Sequence, residues 1–306
     1  MSVSTRMSQV LSQAKQLPYD ASSRIVLMSD CHRGDGTWSD NFLRNQNLFF
    51  AALTYYYDSG FTYIELGDGD ELWENRKMAP IIASHSDAFW LLSRFYQEGR
   101  FYTLFGNHDM VKRDMNYTRC HCGSFYNENS RCRHPLFPEL SVPEGILLTS
   151  REGAPSILLV HGHQGDLIND TFWKISRFLV RYLWKPLELL GFNDPTSAAR
   201  NYRKKENTER HLARWCDEHQ QILAAGHTHR PSFPRPGEAP YFNDGSCVHP
   251  RCITALEIVN NQICLVKWTV MTKENRDLYV GRMVLEEPVS LFEYAGKSTT
   301  AGLKSP

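Results

Sequence analysis

FTYIELGDGDELW, residues 61–73, starts as a short run of apolar, aromatic and β-branched residues and breaks at Gly67-Asp68. That composition predicts a buried strand with a carboxylate at its carboxyl end. The pattern recurs on both sides. RIVLMSDCH (Arg24–His32) reads as a strand running into Asp30 and His32, and FYTLFGNHD (Phe101–Asp109) as one running into Asn107, His108 and Asp109. Between them the spacing predicts helices. Ser39–Asp58 carries Phe42, Leu43, Gln46, Phe49, Phe50 and Leu53 along one face, and Pro80–Gln97 opens on a proline. Strands alternating with helices predict βαβ units and a largely parallel sheet, in which ligands sit beyond the carboxyl ends of the strands.

Outward from this core, the first ~20 residues are polar and read as a frayed end or short helix. Residues 111–145 read as irregular. Ile146–Ser150 and Ser156–Val160 form a hairpin whose second strand runs into His161-Gly162-His163. Two helices fill roughly 170–219. Gln221–Ala225 is a further strand, ending in Gly226-His227-Thr228-His229, and a β-rich stretch runs from Tyr241 to about Leu285. The whole predicts two packed sheets flanked by helices, with no internal repeat.

Composition sets the outer bounds. The chain has 306 residues, 42% hydrophobic and 22% charged, as in ordinary globular proteins and unlike disordered or coiled-coil chains. Lys+Arg and Asp+Glu both number 34, so global charge makes no case for nucleic-acid or membrane binding, and no nucleic-acid partner is expected. No secretion signal and no membrane span is read, and eight cysteines are too sparse for a disulfide scaffold, so a cytoplasmic, reducing location is expected.

Five clusters each follow a strand: Asp30-Cys31-His32, Gly67-Asp68, Gly106-Asn107-His108-Asp109, His161-Gly162-His163 and Gly226-His227-Thr228-His229. Imidazole with carboxylate suits Mn, Fe, Zn or Co, and the lack of sulfur speaks against a structural zinc site. The set exceeds what one ion needs, whereas two ions sharing a carboxylate would use it fully.

In order and content these clusters resemble the calcineurin-like binuclear metallophosphoesterase superfamily. The resemblance implies a four-layer α/β/β/α sandwich over about 20–290, with a helical cap inserted at about 166–219. It implies two divalent ions, manganese foremost. Asp30, His32 and His229 would hold one, Asn107, His161 and His227 the other, and Asp68 would bridge them. His108 would donate a proton or touch the substrate phosphate, with Asp109 orienting its ring. A metal-bridging hydroxide would then attack a phosphodiester or pyrophosphate. Two dications, Asp30, Asp68 and one hydroxide leave about +1 locally, which draws in an anion although the chain is neutral. A phosphomonoesterase, a protein phosphatase and a non-catalytic scaffold of the same fold are the alternatives.

Within the superfamily, the protein Ser/Thr phosphatases carry arginines after the bridging Asp and before the Asn-His, and GDGDELW and LFGNHD have neither. The chain is more similar to UDP-2,3-diacylglucosamine hydrolase-like proteins. Trp73 after an acidic residue, the insertion between His161 and His227, and Arg230-Pro231 after the last cluster carry that likeness. His108 stands where those proteins have Arg, and His163 where they have Asp. His161-Gly162-His163 and Gly165 are similar instead to small phosphodiesterases of the superfamily. The substrate implied is a small-molecule or lipid-linked phosphate.

In the insertion, Thr171–Leu190 places Lys174, Arg177, Arg181, Lys185 and Glu188 on one helical stripe, with a wide apolar surface elsewhere. It reads as a helix packed on Ala198–His219, a lid, or an interfacial helix in peripheral contact with lipid. Arg200 and Arg203, with His163, are candidate contacts for a substrate phosphate. Cys120, Cys122, Cys132 and His134 read as a loop with free thiols or a zinc site. Cys31 reads as packing, pointing away from Asp30 and His32 on an extended chain.

Overall fold

The computed structural model describes residues 2–127, 131–166, 169–170, 172–184 and 202–295. Sheet order explains how the strand ends meet. The first sheet runs β13-β12-β11-β2-β3-β4, formed by β2 (Arg24–Met28), β3 (Thr62–Glu65), β4 (Phe101–Thr103), β11 (Cys252–Val259), β12 (Gln262–Thr272) and β13 (Leu278–Ser290). The pairs β2/β3 and β3/β4 are parallel, while β11, β12 and β13 join antiparallel, so the motif strands lie side by side with their carboxyl ends together. The second sheet runs β1-β7-β8-β9-β10, from β1 (Lys15–Tyr19), β7 (Gly145–Ser150), β8 (Ile157–Val160), β9 (Ile222–Ala225) and β10 (Tyr241–Asn243).

The alternation along each strand sorts the core into three seams. Leu27, Ile64 and Leu104 of the first sheet face Leu148, Leu159 and Ala224 of the second. On the first sheet's other face, Val26, Met28 and Tyr63 meet Phe49 and Leu53 of α2 (Gln46–Asp58) and Phe95 of α4 (Ser86–Gln97). On the second sheet's outer face, Leu158, Val160 and Ala225 meet Met7 and Val10 of α1 (Val3–Gln13) and Trp215 of α7 (Tyr202–His219). The layering is therefore α/β/β/α.

Of the amino-terminal reading the short helix holds, and a strand was missed. Residues 3–19 are a helix capped by Ser2, whose Oγ accepts from Thr5 N at 3.1 Å, and an edge strand parallel to β7. Pro18 disguised that strand, but an edge position tolerates the missing N–H. Met7 and Val10 are buried, each contributing about 1.5–3 kcal/mol.

Two single helices expected from periodicity are each broken. Asn41–Arg44 is a 3-10 turn before α2, and α3 (Met78–Ser84) is separated from α4 at His85, whose Nε2 lies 2.8 Å from Asp40 Oδ2. The supposedly irregular 111–145 holds α5 (Met115–Cys122) and a small hairpin of β5 (Ser124–Asn127) and β6 (Cys132–Pro135). There Cys122 is buried while Cys120 and Cys132 are exposed, and none of them joins a metal-capable group among the described residues.

Between β8 and β9, α6 (Trp173–Leu179) continues as a π-helical turn through Trp184. Phe172, Ile175, Phe178, Tyr182 and Leu183 are exposed here, and among the described side chains only Trp173 is buried. Lys185 and Glu188 of the expected stripe lie outside the described residues, as does Arg200; of Arg203 only the backbone, in α7, is described. No described helix is long and apolar enough to cross a membrane.

Candidate metal centre

The strand-end loops of both sheets are sewn to one another by backbone hydrogen bonds. Asp30, His32 and Arg33 donate their amides to the carbonyls of Gly67, Asp68 and Gly69 at 3.2, 2.9 and 3.0 Å. Within the second sheet Gly226 N donates to His161 O at 2.9 Å, and across the sheets His227 N donates to Asp30 Oδ2 at 2.8 Å. To face one point, the backbone bends hard. Asp30, His32, Asp68, His227 and His229 all have φ between 47° and 68°, a region non-glycine residues seldom occupy. Such strain collects at functional sites and here falls on five of the seven candidate ligands. It also corrects the reading of Cys31: the chain around it is not extended, yet the side chain is buried, with Sγ 3.8 Å from Glu65 Oε1.

Two donor sets form around Asp68. Asp30 Oδ1 lies 3.0 Å from His229 Nε2 and 3.6 Å from His32 Nε2. Asp68 Oδ2 lies 3.1 Å from His161 Nε2 and 3.8 Å from His32 Nε2, between the sets, and His227 completes the second. Donors about 2.0–2.2 Å from a common ion fall about 3–3.5 Å apart; the His229 and His161 spacings of 3.0 and 3.1 Å meet this, and the two of His32, 3.6 and 3.8 Å, are slightly wider.

The unpaired atoms fit as well. Asp30 Oδ1, His32 Nε2, Asn107 Oδ1 and His161 Nε2 are buried without a hydrogen-bond partner among the described residues. An orphaned buried acceptor costs about 1–3 kcal/mol, which a cation would offset. The partner atoms are fixed: His161 Nδ1 lies 2.8 Å from Leu66 O, and His32 Nδ1 lies 2.8 Å from Glu71 Oε2. Each contact holds the proton on Nδ1 and leaves Nε2 free for a metal.

Burial alone would raise the carboxyls of Asp30 and Asp68, but the neighbouring imidazoles hold both below the usual range. Burial would lower His161, and Asp68 overcomes it, raising it to about 9; burial and then the charge of His161 push His227 down to about 3. The metal-free site thus stores protons that a metal must displace. Apparent metal affinity is expected to climb with pH up to about 9, where His161 loses its proton. The sign for stability is opposite: the His161 contribution to the metal-free fold is complete below about 6.5 and lost as pH rises through about 9. Calorimetric metal titration in buffers of different ionisation enthalpy reads the released protons, and a flat affinity from pH 7 to 9 would contradict the assignment.

His108 sits above this centre. Its amide donates to Asp68 Oδ1 at 2.8 Å, its ring stacks on Trp73 at 4.2 Å, and its edge meets His32 at 4.7 Å. The residue that orients the ring is Glu71, with Oε1 2.8 Å from His108 Nδ1, and not Asp109. Asp109 is buried and turned inward, accepting from Gly106 N at 2.7 Å, Gly69 N at 3.2 Å and Lys112 Nζ at 2.9 Å. Its work is to tie the two loops that carry Asp68 and Asn107. His163 is fully buried beside His161, their rings 5.4 Å apart, and neither of its ring nitrogens has a hydrogen-bond partner among the described residues.

Glu71 is the residue that sequence reasoning missed. One carboxylate holds both His32 and His108, and those imidazoles outweigh burial to keep it ionised. In Glu71→Gln the amide can accept from one ring only and turns an N–H₂ toward the other. We expect turnover or metal affinity about 10–100-fold lower, the usual cost of losing such a support. Side-by-side Mn²⁺ titration and steady-state kinetics measure it, and wild-type values in both would remove Glu71 from the site.

A second missed support is Asp244. Ser29 Oγ lies 2.5 Å from Asp30 Oδ2 and 2.7 Å from Asp244 Oδ1. One hydroxyl hydrogen cannot serve two carboxylates. Burial, then the charge of Asp30, pushes the Asp244 carboxyl well above its usual range, and a proton held there would supply the second hydrogen. Packing around this pair is so close that a Cβ on Gly226 would lie 2.2 Å from Ser29 Oγ and 2.7 Å from Asp30 Oδ2. Gly226→Ala should lose about 1–3 kcal/mol of stability and weaken metal binding, read by denaturant melts and metal titration. Undiminished metal affinity would mean that the loop yields instead.

Residues 23–231 match the model of the calcineurin-like phosphoesterase family. No curated protein matches. Among solved structures, Vps29 of Chaetomium thermophilum aligns at 12% identity over 88% of this chain and 100% of its own, with a TM-score of 0.36. The same protein complexed with the RaPID-derived cyclic peptide RT-D3 aligns at 12% over 87% and 98%, with a TM-score of 0.31. Likeness at that level says nothing of activity or partners. The family match spans about two-thirds of the chain and takes in all five strand-end clusters, and on it the protein belongs to the calcineurin-like phosphoesterases.

Proposed function

We propose that the chain is a metal-dependent hydrolase of phosphodiester or pyrophosphate bonds. The observation that carries this is Asp68, a buried carboxylate set between two donor groups in which Asp30 Oδ1, His32 Nε2, Asn107 Oδ1 and His161 Nε2 have no hydrogen-bond partner among the described residues. Asp30, His32 and His229 would hold one divalent ion and Asn107, His161 and His227 the other, with Asp68 shared. When bound, two such ions polarise phosphate oxygens and acidify an attacking water. The all-oxygen-and-nitrogen donor set suits manganese.

The chain's own residues then do the rest. Asp68 Oδ1 fixes the backbone of His108, and Glu71 holds the His108 proton on Nδ1. Burial would lower His108, but Glu71 and then Asp68 raise it, the direction that favours a proton on Nε2 for the departing oxygen. Trp73 covers one face of the ring and keeps it from turning.

The exposed apolar side chains of α6, beside Lys174 and Arg177, favour a lipid-linked phosphate and peripheral contact with an anionic surface. The test is Mn²⁺-dependent turnover of bis-p-nitrophenyl phosphate against p-nitrophenyl phosphate, followed by a nucleotide-linked lipid. Strong diester turnover, exceeded by the lipid in kcat/KM, is the expected result. Turnover of the monoester alone would make the protein a phosphomonoesterase. None, with both metals bound and the lipid untouched, would leave a binding scaffold.

A further inference from the structure

The insertion that follows β8 reaches back to the catalytic loop through one side chain. Arg181 donates from Nε to Trp73 O at 2.8 Å, and from Nη2 to Leu72 O at 2.7 Å and Asn75 O at 3.2 Å. Two of those carbonyls belong to peptide units whose other ends already serve the site. The N–H of the Leu72–Trp73 unit donates to Glu71 Oε1 at 3.2 Å, and that of the Trp73–Glu74 unit donates to the same oxygen at 3.3 Å. Glu71 Oε1 is also the atom 2.8 Å from His108 Nδ1. The guanidinium, two peptide groups, one carboxylate oxygen and the catalytic imidazole therefore form one chain of hydrogen bonds, in which each link polarises the next.

Nothing in the sequence stripe singled Arg181 out from Lys174 and Arg177. The structure separates them. Arg177 stacks on Trp173 at 4.8 Å, and Lys174 lies 5.8 Å from the same ring, whereas Arg181 turns inward to the loop. Its seat is reinforced by Arg76 of that loop, which hydrogen-bonds to Tyr182 and lies 5.2 Å over its ring. A guanidinium fork suits this task, because it presents several N–H groups in fixed directions.

We propose that Arg181 is a positioning residue for the general acid: it pins the 71–76 turn, and through that turn it sets Glu71 and Trp73 on His108. Seating of the insertion helix on the turn is thereby coupled to the readiness of His108. The proposal rests on the hydrolase reading above for its kinetic consequence, but not for the coupling itself.

The test uses the full-length, Mn²⁺-loaded protein and its Arg181→Gln and Arg181→Lys variants. Hydrogen exchange should quicken over 71–76 and 107–110 in Arg181→Gln and stay unchanged over β2, β11 and β12. Turnover of diphenyl phosphate, whose leaving group needs a proton, should fall about 10–100-fold. Bis-p-nitrophenyl phosphate, whose leaving group does not, should be affected far less. Arg181→Lys should fall between. In a His108→Ala background, Arg181→Gln should cost nothing further, because the residue acts through that ring. Unchanged exchange over 71–76, or a loss that multiplies with that of His108→Ala, overturns the proposal. If the wild type turns over neither diester, the hydrolase reading fails, and the exchange result alone decides whether Arg181 holds the turn.

Discussion

Asp68→Asn is expected to leave the protein folded, retain at most one ion per chain and lower diester turnover by roughly 10³-fold, about 4 kcal/mol in barrier. The asparagine keeps an oxygen for the His108 amide, now 2.8 Å from Asp68 Oδ1, so the turn at 107–109 should survive. What it removes is the charge between the two donor sets, 3.1 Å from His161 Nε2 and 3.8 Å from His32 Nε2. A neutral amide cannot offset two neighbouring cations, and every other candidate ligand serves one set alone. The histidines also lose the charge that raises them, so His161 should titrate below its present value of about 9. Metal analysis after gel filtration, with turnover on the same sample, gives the answer. Two ions bound at wild-type affinity would mean that Asp68 is not the shared ligand.

How much of this could be read from the chain depended on whether a residue works through its type and spacing or through its neighbours. The strands ending at Asp30, Asp68 and Asn107 were legible because each is an apolar run broken by glycine or a polar residue. The same holds for His161 and His227. The parallel order of β2, β3 and β4 followed from the intervening helices, and the two-sheet layering from the hairpin and the β-rich end. What was lost depends on tertiary context. Pro18 hid β1 because a proline argues against a strand unless that strand lies at an edge. His85 broke a helix whose periodicity ran through it, at the point where it reaches Asp40 of another loop.

The supports of the site were hidden for the same reason. Glu71 and Asp109 are both acidic residues near a motif histidine, and the family resemblance pointed to Asp109. Asp109 is instead engaged by a closer partner. Lys112, buried one turn later, lies 2.9 Å from Asp109 and 2.5 Å from Asp70, while Arg33 binds Asp70 at 2.8 Å and Glu65 at 2.8 and 2.9 Å. A buried lysine and arginine must be paired, and removing one partner from such a network costs about 3–5 kcal/mol. Asp109 is committed to that network, which leaves Glu71 as the carboxylate facing His108. Ser29 and Asp244 gave no signal at all, being a serine and an aspartate 215 residues apart that meet behind Asp30.

His108→Ala should separate chemistry from metal binding more cleanly than any other change in the site. The ring groups with His32 and Glu71 rather than with either donor set around Asp68, and the backbone amide that Asp68 Oδ1 accepts from is kept in alanine. Both ions should therefore remain. Turnover of a diester with a poor leaving group should fall about 10²–10⁴-fold, the usual worth of a positioned proton donor. With p-nitrophenolate leaving, which needs no proton, most of that loss should vanish. The direction of the His108 shift supports this role: burial would lower it, and Glu71 with Asp68 raises it above the ordinary histidine value. Bound cations oppose that rise and return the imidazole toward neutrality, where a donor at physiological pH works best. A variant that loses metal along with activity would make His108 a ligand. One that slows good and poor leaving groups alike would make it a phosphate contact rather than an acid.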